Sequence, residues 1–263
     1  MKKAKAEYSI QTVANALRVL EEFRDEVEIG VAELSRRLGL HKNNVFRLLA
    51  TLEEKGYIQQ DGFTERYRLG LGALELGQSF SRSRPLLDRA RPYLEGLCEV
   101  TRESAHLGML HDFEVLHVAG ETPDRLLGTV LRVGKRLPVH CTALGKVLIG
   151  CCPERQREAY DRAIAEGVLE RRTERTIVDA DKLIEHIRTV GVQGFAIDSD
   201  ECEDGLGCLA APVHDESGRV AAALSVSAPT SRVSEDALIR EMRPLVMGAA
   251  ERLSRELGYL RTA

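Results

Sequence analysis

The chain has 263 residues, 43% of them hydrophobic, and a net charge of −4. That length allows one large domain or two ordinary ones, and no run of about eighteen apolar residues is present to span a membrane. The charge does not advertise nucleic-acid binding and is only mildly uneven: residues 1–90 carry 15 Lys and Arg against 13 Asp and Glu (+2), the rest 22 against 28 (−6).

The N-terminal MKKAKAEYSIQ is basic but lacks the apolar core of a secretion signal. The six cysteines, at 98, 141, 151, 152, 202 and 208, form no CxxC pair. Reduced thiols in a cytoplasmic protein are expected.

In chain order, Ser9 is a plausible N-cap of a first helix with Ile10, Val13, Leu17, Leu20 and Phe23 as its buried stripe. Glu28 to Val31 is a short extended entry. The stretch VAELSRRLGLHKNNVFRLLATLEEKGY then reads as two helices around a tight turn. Val31, Leu34 and Leu38 line one face of the first, and Gly39 stops it by accepting a positive φ. The second runs from Lys42 to Lys55, with Val45, Leu48, Leu49 and Leu52 inside. Its outer face begins with Lys42, Asn43, Asn44, Phe46 and Arg47, at the end of a recognition helix that enters a major groove. Residues 56–60 read as a strand, Asp61-Gly62 as a turn and residues 66–69 as the returning strand. A hairpin there makes a winged helix, with Arg66 and Arg68 near a DNA backbone.

Residues 70–83 read as a linker helix through Leu71, Leu74, Leu76 and Phe80, either a tether or a dimer contact. Pro85 to Arg102 is helical, with a kink or restart expected at Pro92. Residues 104–110, 114–119 and 127–133 then read as strands, and 134–136 as a turn. Helices follow over 142–148, 153–165 and 179–190, strands over 194–198, 207–214 and 220–227, and a final helix over 234–257, broken or bent at Pro244. Strands in neighbouring pairs with helices around them predict an α+β fold with an antiparallel sheet.

Three stretches could hold a ligand. In LPVHCTALGK, Thr142 caps a helix whose free N–H groups suit an anion, or it simply caps a core helix; Gly145 admits close approach by backbone or ligand. In AIDSDECEDGLGCLAAPV, acidic residues and glycines form a solvated loop, and the spacing of a calcium loop is absent. In AALSVS, Ser225 and Ser227 share one strand face, so they either bond nearby backbone or line a polar pocket.

The segments VANALRVL, AELSRRLGL, RLLATLEEKGYI and YRLGLGALELG, with HCTALGK, GLGCLAAPV and SVSAP further on, resemble the IclR family of bacterial transcriptional regulators over nearly the whole chain. The resemblance implies a winged helix-turn-helix domain (1–70), a linker helix (71–84) and a GAF-like effector-binding domain (85–263). Carried over motif by motif, the effector pocket would include Leu137, Thr142, Ala143, Leu144, Asp198, Leu206, Cys208, Ser225 and Ser227. The chain departs from the family pattern at Cys141 and in DSDECEDG. What the resemblance implies is a regulator, with repression the expected mode, that binds a palindromic double-stranded DNA operator as a homodimer or tetramer. A small organic or aromatic acid would modulate it. No cofactor, metal or catalytic residue is expected, and no G-x-S-x-G elbow is present. The competing reading is a metal or redox sensor on the same scaffold, using His106, His111, His117, His140, Cys141, Cys202 and Cys208, though no two of these have a recognised metal spacing.

Overall fold

The computed structural model describes residues 9–125 and 133–260. The chain divides into two units, Met1–Arg84 and Pro85–Ala263.

The first unit is built from α1 (Gln11–Glu21), α2 (Val31–Leu38), α3 (Lys42–Glu54) and a hairpin of β1 (Ile58–Gln60) and β2 (Tyr67–Leu69), followed by α4 (Leu71–Arg82). Gly39 ends α2 at φ 65°, in the left-handed region that glycine tolerates. Val19, Phe23, Leu34, Leu38, Val45, Leu49 and Ile58 close an apolar core. Tyr67 extends the hairpin by bridging to Ile29. The first helix differs from expectation. Its N-cap is Ile10, which makes no capping hydrogen bond, so Ser9 is not the cap. Ile10, Val13 and Leu17 are exposed; of the expected stripe Phe23 is buried and Leu20 packs against the core, joined by Val19. The turn is also longer than Asp61-Gly62. Asp61 N donates to Arg66 O (2.8 Å), the Asp61 carboxylate accepts from the backbone of Phe63 and Thr64, and Glu65 takes φ 55°.

The second unit begins with α5 (Pro85–Thr101), which runs unbroken through Pro92. Pro92 sits on the exposed side, where water can satisfy the carbonyl its ring leaves free. Next come β3 (Ser104–His111), β4 (Glu114–Glu121), β5 (Arg136–Pro138), α6 (Ala143–Gly150), α7 (Glu154–Glu166), α8 (Ala180–Gln193), β6 (Ala196–Ser199), β7 (Leu206–His214) and β8 (Val220–Pro229). The chain continues through α9 (Glu235–Ala237), a π-helical turn (Leu238–Met242) and α10 (Arg243–Glu256). Pro244 stands in the first turn of α10, directly after the π-helical turn, so the break expected at that proline falls just before it. Arg136, expected in a turn, opens β5 and pairs with Leu116. The strand expected over 127–133 lies outside the described residues apart from Val133.

The six strands form one antiparallel sheet in the order β5-β4-β3-β8-β7-β6. Alternation along β8 sorts its two faces. Ala222, Leu224, Val226 and Ala228 pack with α5 and α10, alongside Leu94, Leu97, Val246 and Leu253. Ala223, on the opposite parity, packs under α6 and α8 with Leu144, Val147, Ile187 and Val190. Ser225 and Ser227 share that second face.

Candidate nucleic-acid interface and effector site

The outward face of α3 is polar. His41 caps the helix by accepting from Asn43 N (3.3 Å), and Lys42, Asn43, Asn44, Phe46 and Arg47 are all exposed. The buried stripe of Val45, Leu48, Leu49 and Leu52 forces this orientation. Beside Asn44 and Arg47, Thr12 and Asn15 of α1 complete a shallow groove of about 260 Å³; the sequence reading did not single out these two residues. On the wing, Arg68 projects from the exposed side of β2. Arg66, also expected near a DNA backbone, has partners within its own unit. Its guanidinium donates to Glu28 O (2.8 Å) and lies 3.7 Å from Glu33, so it braces the wing against the segment before α2.

The second unit places its polar groups inside. Strand register sets Asp198 opposite Cys208, Cys208 opposite Ser227, and Ser227 opposite Ser104. One row along, Ser225 faces His106. These side chains lie on the α6 face and are buried. Cys208 Sγ and Ser227 Oγ are 3.1 Å apart. Burial, then the nearby Asp198, pushes the Cys208 thiol well above its ordinary value, which leaves it a small core group and no nucleophile.

Thr142 caps α6, accepting from Gly145 N (3.2 Å) and donating to Pro138 O (2.7 Å). A Cβ at Gly145 would meet Val139 Cα and O at 2.4 Å, so the glycine serves close packing on its own chain. Leu144 reaches over Gly108 beside Val115, while Leu137 and Leu206 are half-buried at the margins. Asp198 Oδ1 accepts from Glu201 N (2.8 Å) and Cys202 N (3.2 Å), holding the acidic loop. Burial raises the Asp198 carboxyl to about 7, against those hydrogen bonds and Lys146.

The sequence reading gave Lys146 no role and named His106 and His117 only as possible metal ligands. Lys146 is fully buried; its ammonium pairs with Glu201 and donates to Ile197 O (3.1 Å). His106 and His117 sit beneath α6 with ring centroids 5.6 Å apart. Burial, reinforced by His117, lowers His106 to about 3, and burial with Lys135 lowers His117 to about 4. The alternation Ser104-Ala105-His106-Leu107-Gly108 was the available signal, since it puts a histidine on a covered face. Among the described residues, His106 Nε2, both His117 ring nitrogens, Asp198 Oδ2 and Glu201 Oε2 are buried without a hydrogen-bond partner. An open groove of about 560 Å³ lined by Gly191, Pro212, Met247 and Tyr259 contains none of these groups. Among the described residues no three His, Cys, Asp or Glu side chains converge to hold a metal ion. Cys141 is held above the ordinary thiol range by its hydrogen bond with Cys202 and by burial. No described helix is long and apolar enough to cross a membrane.

Residues 12–62 match the IclR helix-turn-helix domain, and residues 78–255 match the bacterial transcriptional regulator IclR C-terminal domain. The chain is 36% identical over 252 residues to the HTH-type transcriptional regulator KdgR of Escherichia coli, covering 95% of this chain and 94% of that one. It is 36% identical to XynR of the same organism, another HTH-type transcriptional regulator, covering 95% and 98%. A transcriptional regulator of known structure from Rhodococcus is 30% identical, with a TM-score of 0.82, covering 95% of this chain and 98% of that one.

Proposed function

This chain belongs to the IclR family of DNA-binding transcriptional regulators, and within that role we propose that it represses from a palindromic operator until a small organic acid fills its second unit. The observation that carries the effector reading is the buried polar row Asp198–Cys208–Ser227 with Ser225 beside it. Asp198 is held by the Glu201 and Cys202 backbone and Cys208 meets Ser227, so the row is a polar surface already fixed in place inside an apolar layer, against which a ligand's oxygens could be set. The carboxylate of an acid would accept from the two serine hydroxyls, and Leu137, Ala143, Leu144 and Leu206 would cover its apolar part. Thr142 organises the start of α6 without facing the ligand directly.

On the DNA side, Lys42, Asn43, Asn44, Phe46 and Arg47 would meet base edges and Arg68 a phosphate. Arg66 contributes by holding the wing. One recognition helix reads too few base pairs for strong specificity, so two-fold pairing is expected. The exposed apolar faces of α1 (Ile10, Val13, Leu17) and α4 (Leu71, Leu74, Phe80) suit a homodimer or tetramer. A monomer by light scattering at micromolar concentration would contradict that assembly.

The effector reading is tested by thermal shift with keto, hydroxy and aromatic acids. Ligand at a hundredfold excess over its dissociation constant stabilises by about 2.7 kcal/mol. The shift should vanish in a folded Ser225→Ala/Ser227→Ala variant, and the same acid should release operator DNA. If every acid fails, or the shift survives that variant unchanged, the pocket is not this one.

A further inference from the structure

The polar surface under α6 does not end at the serines. Ser225 is the register partner of His106 on β3, and Gly108, two residues along β3, is the partner of His117 on β4. Paired residues on one face lie about 5 Å apart, so the surface extends from β8 to β4 across two strand spacings, about 10 Å. Its far end is the pair of imidazoles. They are 1% and 2% exposed, and among the described residues three of their ring nitrogens have no hydrogen-bond partner. An unmet buried polar atom is costly to a fold, and two such rings side by side are not what packing alone selects.

We propose that His106 and His117 form the second pole of the effector site and bind a hydroxyl carried by the ligand, which makes the effector a hydroxylated carboxylic acid. This rests on the reading of the serine row as the carboxylate pole. A neutral imidazole has one donor nitrogen and one acceptor nitrogen. Both rings are held neutral by burial, at about 3 and about 4. A second carboxylate only accepts, and an ammonium only donates, so either would leave half of each ring unmet. A hydroxyl does both. The spacing places that hydroxyl about 5–10 Å from the carboxylate.

The test is calorimetric titration of the full chain with matched acids that differ by one hydroxyl or its absence: benzoate against 4-hydroxybenzoate, butanoate against 4-hydroxybutanoate, hexanoate against 6-hydroxyhexanoate. A site built to hydrogen-bond a hydroxyl rejects the analogue lacking it strongly, so at least one hydroxylated member should bind about 100-fold more tightly than its partner. In His106→Leu/His117→Leu that preference should collapse to a few-fold. The unliganded variant should also melt higher, because two unmet polar groups have been removed. His117→Gln and His106→Asn, which keep donors and acceptors, should retain part of the preference and stand in if the leucine variant does not fold. Plain acids that bind as tightly as hydroxylated ones, through Ser225 and Ser227, would overturn this inference and leave the carboxylate pocket intact. A hydroxyl preference that survives in the leucine variant would overturn it as well. Failure of all six acids would overturn both readings together.

Discussion

The two units place their polar side chains in opposite ways. Among the described residues, the buried polar and charged side chains all fall in the second unit, from Glu103 to Ser254. The winged unit buries only apolar groups and Tyr67, and its ion pairs, such as Arg37 with Glu26 and Glu33, stay at the surface. A DNA-reading unit acts outward, so its interior needs only to be rigid. A unit that encloses a ligand must keep hydrogen-bonding groups where water cannot reach them, at a cost in stability. Substitutions at the functional face of the first should therefore change binding alone, and those at the second should change binding and folding together.

The largest expected effect is at Lys146. Lys146→Ala leaves Glu201 buried and unpaired, which costs about 3–5 kcal/mol. Denaturant unfolding measures it, and a loss below about 1 kcal/mol would mean that the second unit tolerates unpaired charge. Arg47→Ala is the counterpart in the first unit: unfolding should stay within about 0.5 kcal/mol while operator affinity falls by about 1–3 kcal/mol, read by fluorescence anisotropy.

Acid should separate the units next. His106, His117 and His186 are depressed by burial to about 3, 4 and 4, from 6.5. The folded state therefore refuses protons that the unfolded chain takes up. Their contribution is complete above pH 6.5 and is lost as pH falls from 6.5 toward 4, at up to about 1.4 kcal/mol per pH unit for each group. Asp198, raised from 3.8 to about 7, runs the other way: its contribution is complete below 3.8 and is lost as pH rises toward 7. Glu201, also raised by burial, opposes the histidines too. Burial lowers His140 and His214 as well, so the depressed imidazoles outnumber the two raised carboxyls and the second unit should lose stability on acidification. Melting curves from pH 7 to 4.5 should show it in the second unit, and His106→Leu/His117→Leu should flatten or reverse it.

The smallest effect sharpens the comparison within the wing. Arg68→Ala should reduce the slope of log affinity against log salt by about one unit. Arg66→Ala should leave that slope nearer the wild-type value, because its guanidinium bonds Glu28 O. Equal slopes for the two variants would put Arg66 on the phosphate after all.

Local pattern made much of the fold legible. The α3 stripe of Val45, Leu48, Leu49 and Leu52, the left-handed stop at Gly39 and the Thr142 cap all depend on neighbours within a few positions, and each is found where the sequence implies. The first helix was misread for the converse reason. Ile10, Val13 and Leu17 have helical apolar spacing, but spacing cannot say whether an apolar face meets its own core or is left exposed. The linker helix poses the same question, and none of its residues is buried.

The effector side divides along the same line. Ser225 and Ser227 on one strand face, and the motifs around Thr142 and Cys208, were visible in the sequence alone. That Asp198, Cys208, Ser227 and Ser104 stand in one row, with His106 and His117 beyond them, depends on strands up to about 120 residues apart pairing in one register. Likewise, only the tertiary structure shows that Glu201 and Ile197 O enclose Lys146 and that Arg66 donates to Glu28 O. Sequence by itself determined the family, the helix-turn-helix and the shared face of Ser225 and Ser227, because periodicity and turn chemistry act over a few residues. Tertiary structure alone decided which polar groups are enclosed, which are met and which are left wanting a partner, because burial is a property of what packs on a residue and not of the residue itself.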